Sequence, residues 1–129
     1  DILPWKNQIN FENKISNIRT EKYLSCDKNS IYFFDRSTID CIAYLKLNAL
    51  KISLQIEKNV KKCVFNKTVF YTPIWEKIYI QDNERKENIE QAKEIEREII
   101  EAYQSLDYNL IKIPKLSIEK RVDFIISKI

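Results

Sequence analysis

In the stretch IYFFDRSTID, Ile31 to Asp40, four apolar residues run directly into an acid and a base, Asp35 and Arg36. A carboxylate at the carboxyl end of a buried strand can hold Mg²⁺ or orient a nucleophile. A guanidinium beside it can grip phosphate oxygens through a bidentate fork. The plainer reading is a helix-capping acid next to a surface arginine. Ser37 fits a helix N-cap, and Asp40, three residues on, fits the acid of an imperfect capping box.

Composition narrows the remaining chemistry. The chain of 129 residues has no histidine, which excludes a His-based zinc site and Ser-His-Asp catalysis. It has no glycine, where average usage of about 7% predicts roughly nine, so no Gly-rich phosphate loop lies within it. Isoleucine, lysine and asparagine are abundant, which suggests an AT-rich coding sequence. Methionine is absent as well, and the expectation is a processed product or a fragment. Cys26, Cys41 and Cys63 are odd in number and lack CxxC spacing. They read as reduced thiols, buried as small hydrophobes. The 22 basic and 19 acidic residues are interspersed and leave a net charge of only +3, which argues against a dedicated nucleic-acid binder. No apolar run approaches the roughly 18 residues of a membrane span, and no secretory leader pattern is visible. The expected location is cytoplasmic, with no nucleic-acid and no membrane partner.

The elements that must position these residues follow from periodicity. Phe11, Ile15 and Ile18 form an apolar stripe on a helix within Trp5 to Ser25. Ile31 to Phe34 reads as a strand buried on both faces. A helix follows through Ile42 to Leu45, and another spans Ser53 to Val64 with Leu54, Ile56, Val60 and Val64 as its apolar positions. Thr68 to Thr72 is a second strand, stopped by Pro73. A long charged helix covers Asn83 to Leu106, with Ile89, Ala92, Glu96, Ile99 and Tyr103 at a 3-4 period. Leu110 to Ile113 is a third strand, and Ser117 can cap a last helix carrying Ile118, Val122, Ile125, Ile126 and Ile129 on one side. Strands alternating with helices predict an α/β domain with a mostly parallel sheet, whose ligands bind beyond the carboxyl ends of the strands. Trp75 and Tyr79, just after a strand end, are candidates to line a substrate pocket, although such aromatics more often sit in a core.

The ordered set ILPWKNQINF, IYFFDRSTIDCIAYLKL, VFYTPIWEKIYIQDNERKENIEQA, AYQSLDYNLIKIP and SIEKRVDFIISKI resembles the predicted P-loop ATPases of the AAA type that are related to nicotinamide-riboside kinase. The resemblance implies a single domain over 1–129, the C-terminal two-thirds of a P-loop kinase-like domain. Its parallel sheet with flanking helices would lack the Walker A strand and the next strand. ATP and Mg²⁺ are the implied cofactors, with a nucleotide and a small acceptor as partners. Asp35, Arg36 and Asp40 match the family's acid-arginine motif and the acid that follows, with Asp35 as the metal ligand. A lid at about 80–98 carries Arg85 as a phosphate-reaching arginine. Pro114, Lys115 and Ser117 match the loop near the adenine. Three positions depart from the pattern: Ser37 and Asp107 stand where glycine is usual, and Glu96 where histidine is common.

The leading expectation is therefore an ATP-binding P-loop NTPase, hydrolysing ATP or transferring phosphate to a nucleoside-like acceptor, and competent only with the missing N-terminal part. The alternatives are a non-catalytic truncated or decayed remnant, or an interaction module using the helix at 83–106.

Overall fold

The structure is a computed structural model that describes residues 7–76 and 88–129. These residues form two compact units, Asp1–Phe65 and Asn66–Ile129. The first holds three helices, α1 (Gln8–Leu24), α2 (Thr38–Leu47) and α3 (Leu54–Lys62). The second holds β1 (Thr68–Tyr71), α4 (Ile89–Ser105), β2 (Asn109–Lys112) and α5 (Ile118–Ser127).

Local chemistry sets the helix starts. Asn7, Ser37, Ser53, Asn88 and Ser117 each accept a backbone N–H of the first turn through the side chain. That satisfies donors with no partner inside the helix. Ser37–Asp40 and Asn88–Gln91 are complete capping boxes.

The helix ends show how a chain without glycine turns. At α2, Leu50 N–H donates to Leu45 O at 2.9 Å and Ala49 N–H to Lys46 O at 3.0 Å. At α4, Tyr108 N–H donates to Tyr103 O at 3.2 Å and Asp107 N–H to Gln104 O at 3.0 Å. Both are Schellman closures, which need a left-handed residue just past the cap, usually glycine. Ala49 (φ 55°) and Asp107 (φ 65°) take that conformation instead. The departure at Asp107 is thus a real substitution at a glycine-favouring site. Ser37, by contrast, is extended (φ −147°), and the left-handed residue is Arg36 (φ 70°).

In the first unit the buried positions of α1 are polar: Glu12, Ser16 and Thr20, one face at i, i+4, i+8. Of the predicted apolar stripe, Ile15 packs beside the Cys41, Leu45 and Ile56 cluster, while Ile18 is exposed. Small side chains let α1 lie close to α3, and their hydrogen bonds are made within the seam. Thr20 Oγ1 donates to Ser16 O at 2.8 Å, and Ser16 Oγ donates to Asn13 O at 3.0 Å. From α3, Asn59 Nδ2 donates to Ser16 Oγ at 2.9 Å and to Asn17 Oδ1 at 2.8 Å.

The predicted strand at Ile31 to Phe34 is not found. The segment pairs with no strand among the described residues, and its side chains are exposed, Ile31 by 71% and Phe33 by 69%. An apolar run is buried on both faces only if ladder neighbours flank it, and here it has none. It is pinned instead by an aromatic trio: the Phe34 ring lies 6.2 Å from Tyr23 and 5.5 Å from Phe65, with Tyr23 and Phe65 at 5.3 Å.

The second unit contains the parallel pair that the pattern predicts. Thr68 aligns with Asn109 and Tyr71 with Lys112, and α4, which packs on β2, lies between the two strands in sequence. Among its described residues Ala102, Tyr103, Tyr108 and Ile113 are buried. The Tyr103 and Tyr108 rings meet edge to face at 5.8 Å, the apolar contact that accompanies a Schellman closure. On α5, Ile118, Val122 and Ile126 stay exposed.

Two predictions follow from this packing. Asn59→Ala leaves Ser16 and Asn17 without their buried donor and should lower stability by about 1–3 kcal/mol in urea denaturation. Ala49→Gly should relieve the left-handed cost and raise stability by about 1 kcal/mol. An unchanged or lower urea midpoint for Ala49→Gly would contradict that account of the α2 closure.

Candidate functional site

In the first unit the capping box decides where the predicted residues lie. Asp40 is buried at 4% exposure and accepts the Ser37 backbone N–H at 3.2 Å through Oδ1. Its other oxygen lies 3.8 Å from Arg36 Nη1. Arg36 Nη1 also donates to the Tyr44 hydroxyl at 2.9 Å, and the guanidinium carbon sits 5.9 Å from the Tyr44 ring centre. Partial burial draws the Arg36 pKa down, but Tyr44, Asp40 and Asp35 outweigh it and hold the pKa above its ordinary value. Arg19 Nη1 donates to Ser37 O at 2.9 Å and ties α1 to the same turn. Asp35, Arg36 and Asp40 are thus gathered at one helix start, with Asp35 and Arg36 exposed. The capping role of Asp40 is realised in full. Tyr44 and Arg19 are the residues that sequence reasoning missed here. Tyr44 lies eight residues after Arg36, about two helical turns, and that spacing was the available signal.

Beneath this turn lies a buried acid–thiol pair. Glu12 is 6% exposed, and burial pushes its pKa up, against the lowering effects of its hydrogen bond with Cys41 and the charge of Arg19; Asp40 adds to the rise. Cys41, fully buried, is pushed up to about 12 by burial and by the Glu12 charge. Arg19 Nη1 also donates to Cys41 Sγ at 3.6 Å. This thiol is inert packing rather than a nucleophile.

In the second unit an open cleft of about 510 Å³ lies beyond the carboxyl ends of β1 and β2. Trp75, Glu76, Lys93 and Glu96 form one part of its lining, Lys112 and Lys115 another. Glu96 Oε2 accepts the Ile74 backbone N–H at 2.8 Å and so holds the chain leaving β1. Of the predicted adenine-loop residues, Lys115 reaches the cleft, and Pro114 closes a turn in which Leu116 N–H donates to Pro114 O at 2.9 Å. Ser117 caps α5 through its hydroxyl, which accepts Lys120 N–H at 3.3 Å. Trp75 lines the cleft rather than a core, with the Arg121 guanidinium carbon 5.7 Å from its ring centre. Arg85, Tyr79 and the part of the predicted lid before residue 88 fall outside the described residues, and the rest of the lid lies at the start of α4.

Among the described residues no cluster of three or more Cys, His, Asp or Glu side chains could hold a metal ion. A lone exposed Asp35 still suits Mg²⁺, which keeps several waters and is bound through one or two carboxylates plus substrate phosphates. Among the described residues no helix is long and apolar enough to cross a membrane.

The Glu12 shift carries a pH prediction. A carboxyl whose folded pKa lies above its unfolded one binds its proton more tightly in the fold. Stability is then greatest below the unfolded value and falls as pH rises through the folded one. Glu12→Gln should remove that fall, raising the urea midpoint at pH 7 relative to wild type while changing it little at acidic pH. An equal midpoint difference at both pH values would disprove the link.

No curated protein and no solved structure matches the chain. A family model described as AAA domain matches residues 1–121. The match runs through both units, from before α1 into α5, and takes in both the Asp35-Arg36 turn and the Pro114–Ser117 loop. The chain therefore belongs to the AAA domain family, a family of nucleotide-binding P-loop NTPases.

Proposed function

We propose that this chain carries part of an ATP-dependent P-loop site, for ATP hydrolysis or phosphoryl transfer to a small nucleoside-like acceptor. The observation that carries the reading is the exposed Asp35-Arg36 pair at the start of α2, inside a chain that matches the AAA domain model. Asp35 is assigned to Mg²⁺ or to the acceptor hydroxyl. Arg36 is assigned to the charge of the transferred phosphoryl group. Arg85 is assigned the same task from the lid, and Asp40 the task of holding the turn. Pro114, Lys115 and Ser117 are assigned to the adenine side. ATP with Mg²⁺ would supply the phosphoryl group; these side chains contribute positioning and electrostatics.

The 129 residues contain no glycine, so no nest of Gly-backbone N–H groups wraps a β-phosphate here. The proposal therefore assigns that role to a loop outside these residues, related to the P-loop kinases that resemble nicotinamide-riboside kinase. A non-catalytic remnant is the second reading. It is supported by the exposed Ile31 to Phe34 run, which lacks the neighbours that its composition calls for.

Calorimetric titration of Mg-ATP tests both readings. The 129-residue chain should bind ATP weakly or not at all, and a low micromolar dissociation constant would contradict the phosphate-loop argument. In a longer form that carries a phosphate loop, Asp35→Asn should cut turnover far more than ATP affinity, since its contacts strengthen in the transition state. Unchanged turnover would return Asp35 to a capping role, as the remnant reading expects.

A further inference from the structure

The cleft beyond β1 and β2 has charges that its own ion pairs do not use. Lys93 is matched by Glu76 at 3.5 Å and Glu90 at 3.7 Å. Glu96 is occupied by the Ile74 N–H. Arg97, Lys112 and Lys115 also line the cleft, and no carboxylate among the described residues lies within ion-pairing distance of them. Among the described lining residues four cations face two carboxylates, Glu76 and Glu96, and both carboxylates are already engaged. The described lining therefore has a surplus of two positive charges, available to a ligand.

The wall beside those charges is aromatic and held in place. Trp75 is backed by Arg121, whose Nε is buried without a hydrogen-bond partner among the described residues. A guanidinium over an indole is attracted by the ring quadrupole, so the contact orients Trp75 without filling the cleft. Pro73 and Ile74 add an apolar border. The volume of about 510 Å³ falls within the range of small-molecule sites, roughly 300–1,000 Å³.

We propose that this cleft is a binding site for a small planar compound bearing a phosphate monoester, its ring against Trp75 and its dianion on Arg97, Lys112 and Lys115. The charge of such a group, about −1.5 to −2 at neutral pH, matches the surplus. Arg97 supplies a planar fork that suits two phosphate oxygens, and the lysines supply point charges. The inference goes beyond the proposed function: it gives the second unit a ligand class of its own and sets Lys115 on a phosphate instead of on the adenine side. It requires neither a glycine loop nor Mg²⁺.

The test uses the full chain with Trp5→Phe, which leaves Trp75 as the only tryptophan. Phenyl phosphate is the probe, read by Trp75 fluorescence and by calorimetry without added metal. It should quench Trp75 and bind at least tenfold more tightly than either phenol or inorganic phosphate. Arg97→Gln and Lys112→Gln should each weaken phenyl phosphate about tenfold or more. Trp75→Leu, read by calorimetry, should bring phenyl phosphate down to the affinity of inorganic phosphate. No binding at millimolar phenyl phosphate, equal affinity for inorganic phosphate, or binding unchanged by Arg97→Gln would overturn the proposal. Phenyl phosphate has no polyphosphate, ribose or metal to bring, so failure here leaves the Mg-ATP titrations to decide the nucleotide reading separately.

Discussion

The first unit depends on a buried polar seam. α1 turns Glu12, Ser16 and Thr20 inward, and α3 answers with Asn59 and Cys63. Buried polar groups are tolerable only when hydrogen-bonded, and these are: each hydroxyl has a backbone carbonyl as acceptor, and Asn59 binds two side chains. Side chains this small allow a close approach of helices that bulky apolar residues would prevent. Beside the seam lies an apolar cluster of Cys41, Leu45 and Ile56, against which Ile9, Ile15, Ile42, Leu50, Ile52 and Val60 pack. Much of the remaining apolar surface faces water, including Ile31, Phe33, Leu54 and Val64.

The seam also holds the candidate site. Arg19 stands one turn beyond Ser16 on α1 and reaches Ser37 O at 2.9 Å, on the residue that opens α2. Ser37 and Asp40 complete the box. The turn at Asp35-Arg36 is therefore held by α1 as well as by its own helix. Arg36 pays for this with a left-handed backbone, the kind of local strain that persists only where the surroundings over-determine it.

What was legible in the sequence was local. Ser37 and Ser117 read as caps because a cap is specified within four residues, and both are caps. The two short strands read correctly because β-branched and aromatic residues end at turn signals on both sides. What failed was burial. Ile31 to Phe34 has the composition of an inner strand, but burial belongs to the neighbours rather than to the segment. The seam failed in the opposite sense: Glu12, Ser16 and Thr20 look like a solvent face, because polar residues at helical spacing usually are one. The cleft was legible only in Lys115 and Trp75, since Lys93, Arg97 and Lys112 meet there through a β–α–β connection that no local pattern encodes.

The contacts of Arg36 bear on whether it can serve a phosphate at all. Its guanidinium is engaged twice, by the Tyr44 hydroxyl and by Asp40 at 3.8 Å. A pair with the cation half exposed is worth about 0–1 kcal/mol, and the bond to the Tyr44 hydroxyl is charge-assisted on its donor side only. Bidentate bonds to a phosphate are charge-assisted on both sides and roughly twice as strong as neutral ones. A phosphate arriving at this turn can thus displace Tyr44 without first unfolding anything. Asp40 does not need to move, because its firmer bond is to the Ser37 N–H and holds the helix start whether or not Arg36 stays. The two carboxylates are therefore placed differently: Asp40 is buried and keeps the turn in shape, while Asp35, one residue before Arg36, is exposed and takes no part in the capping box.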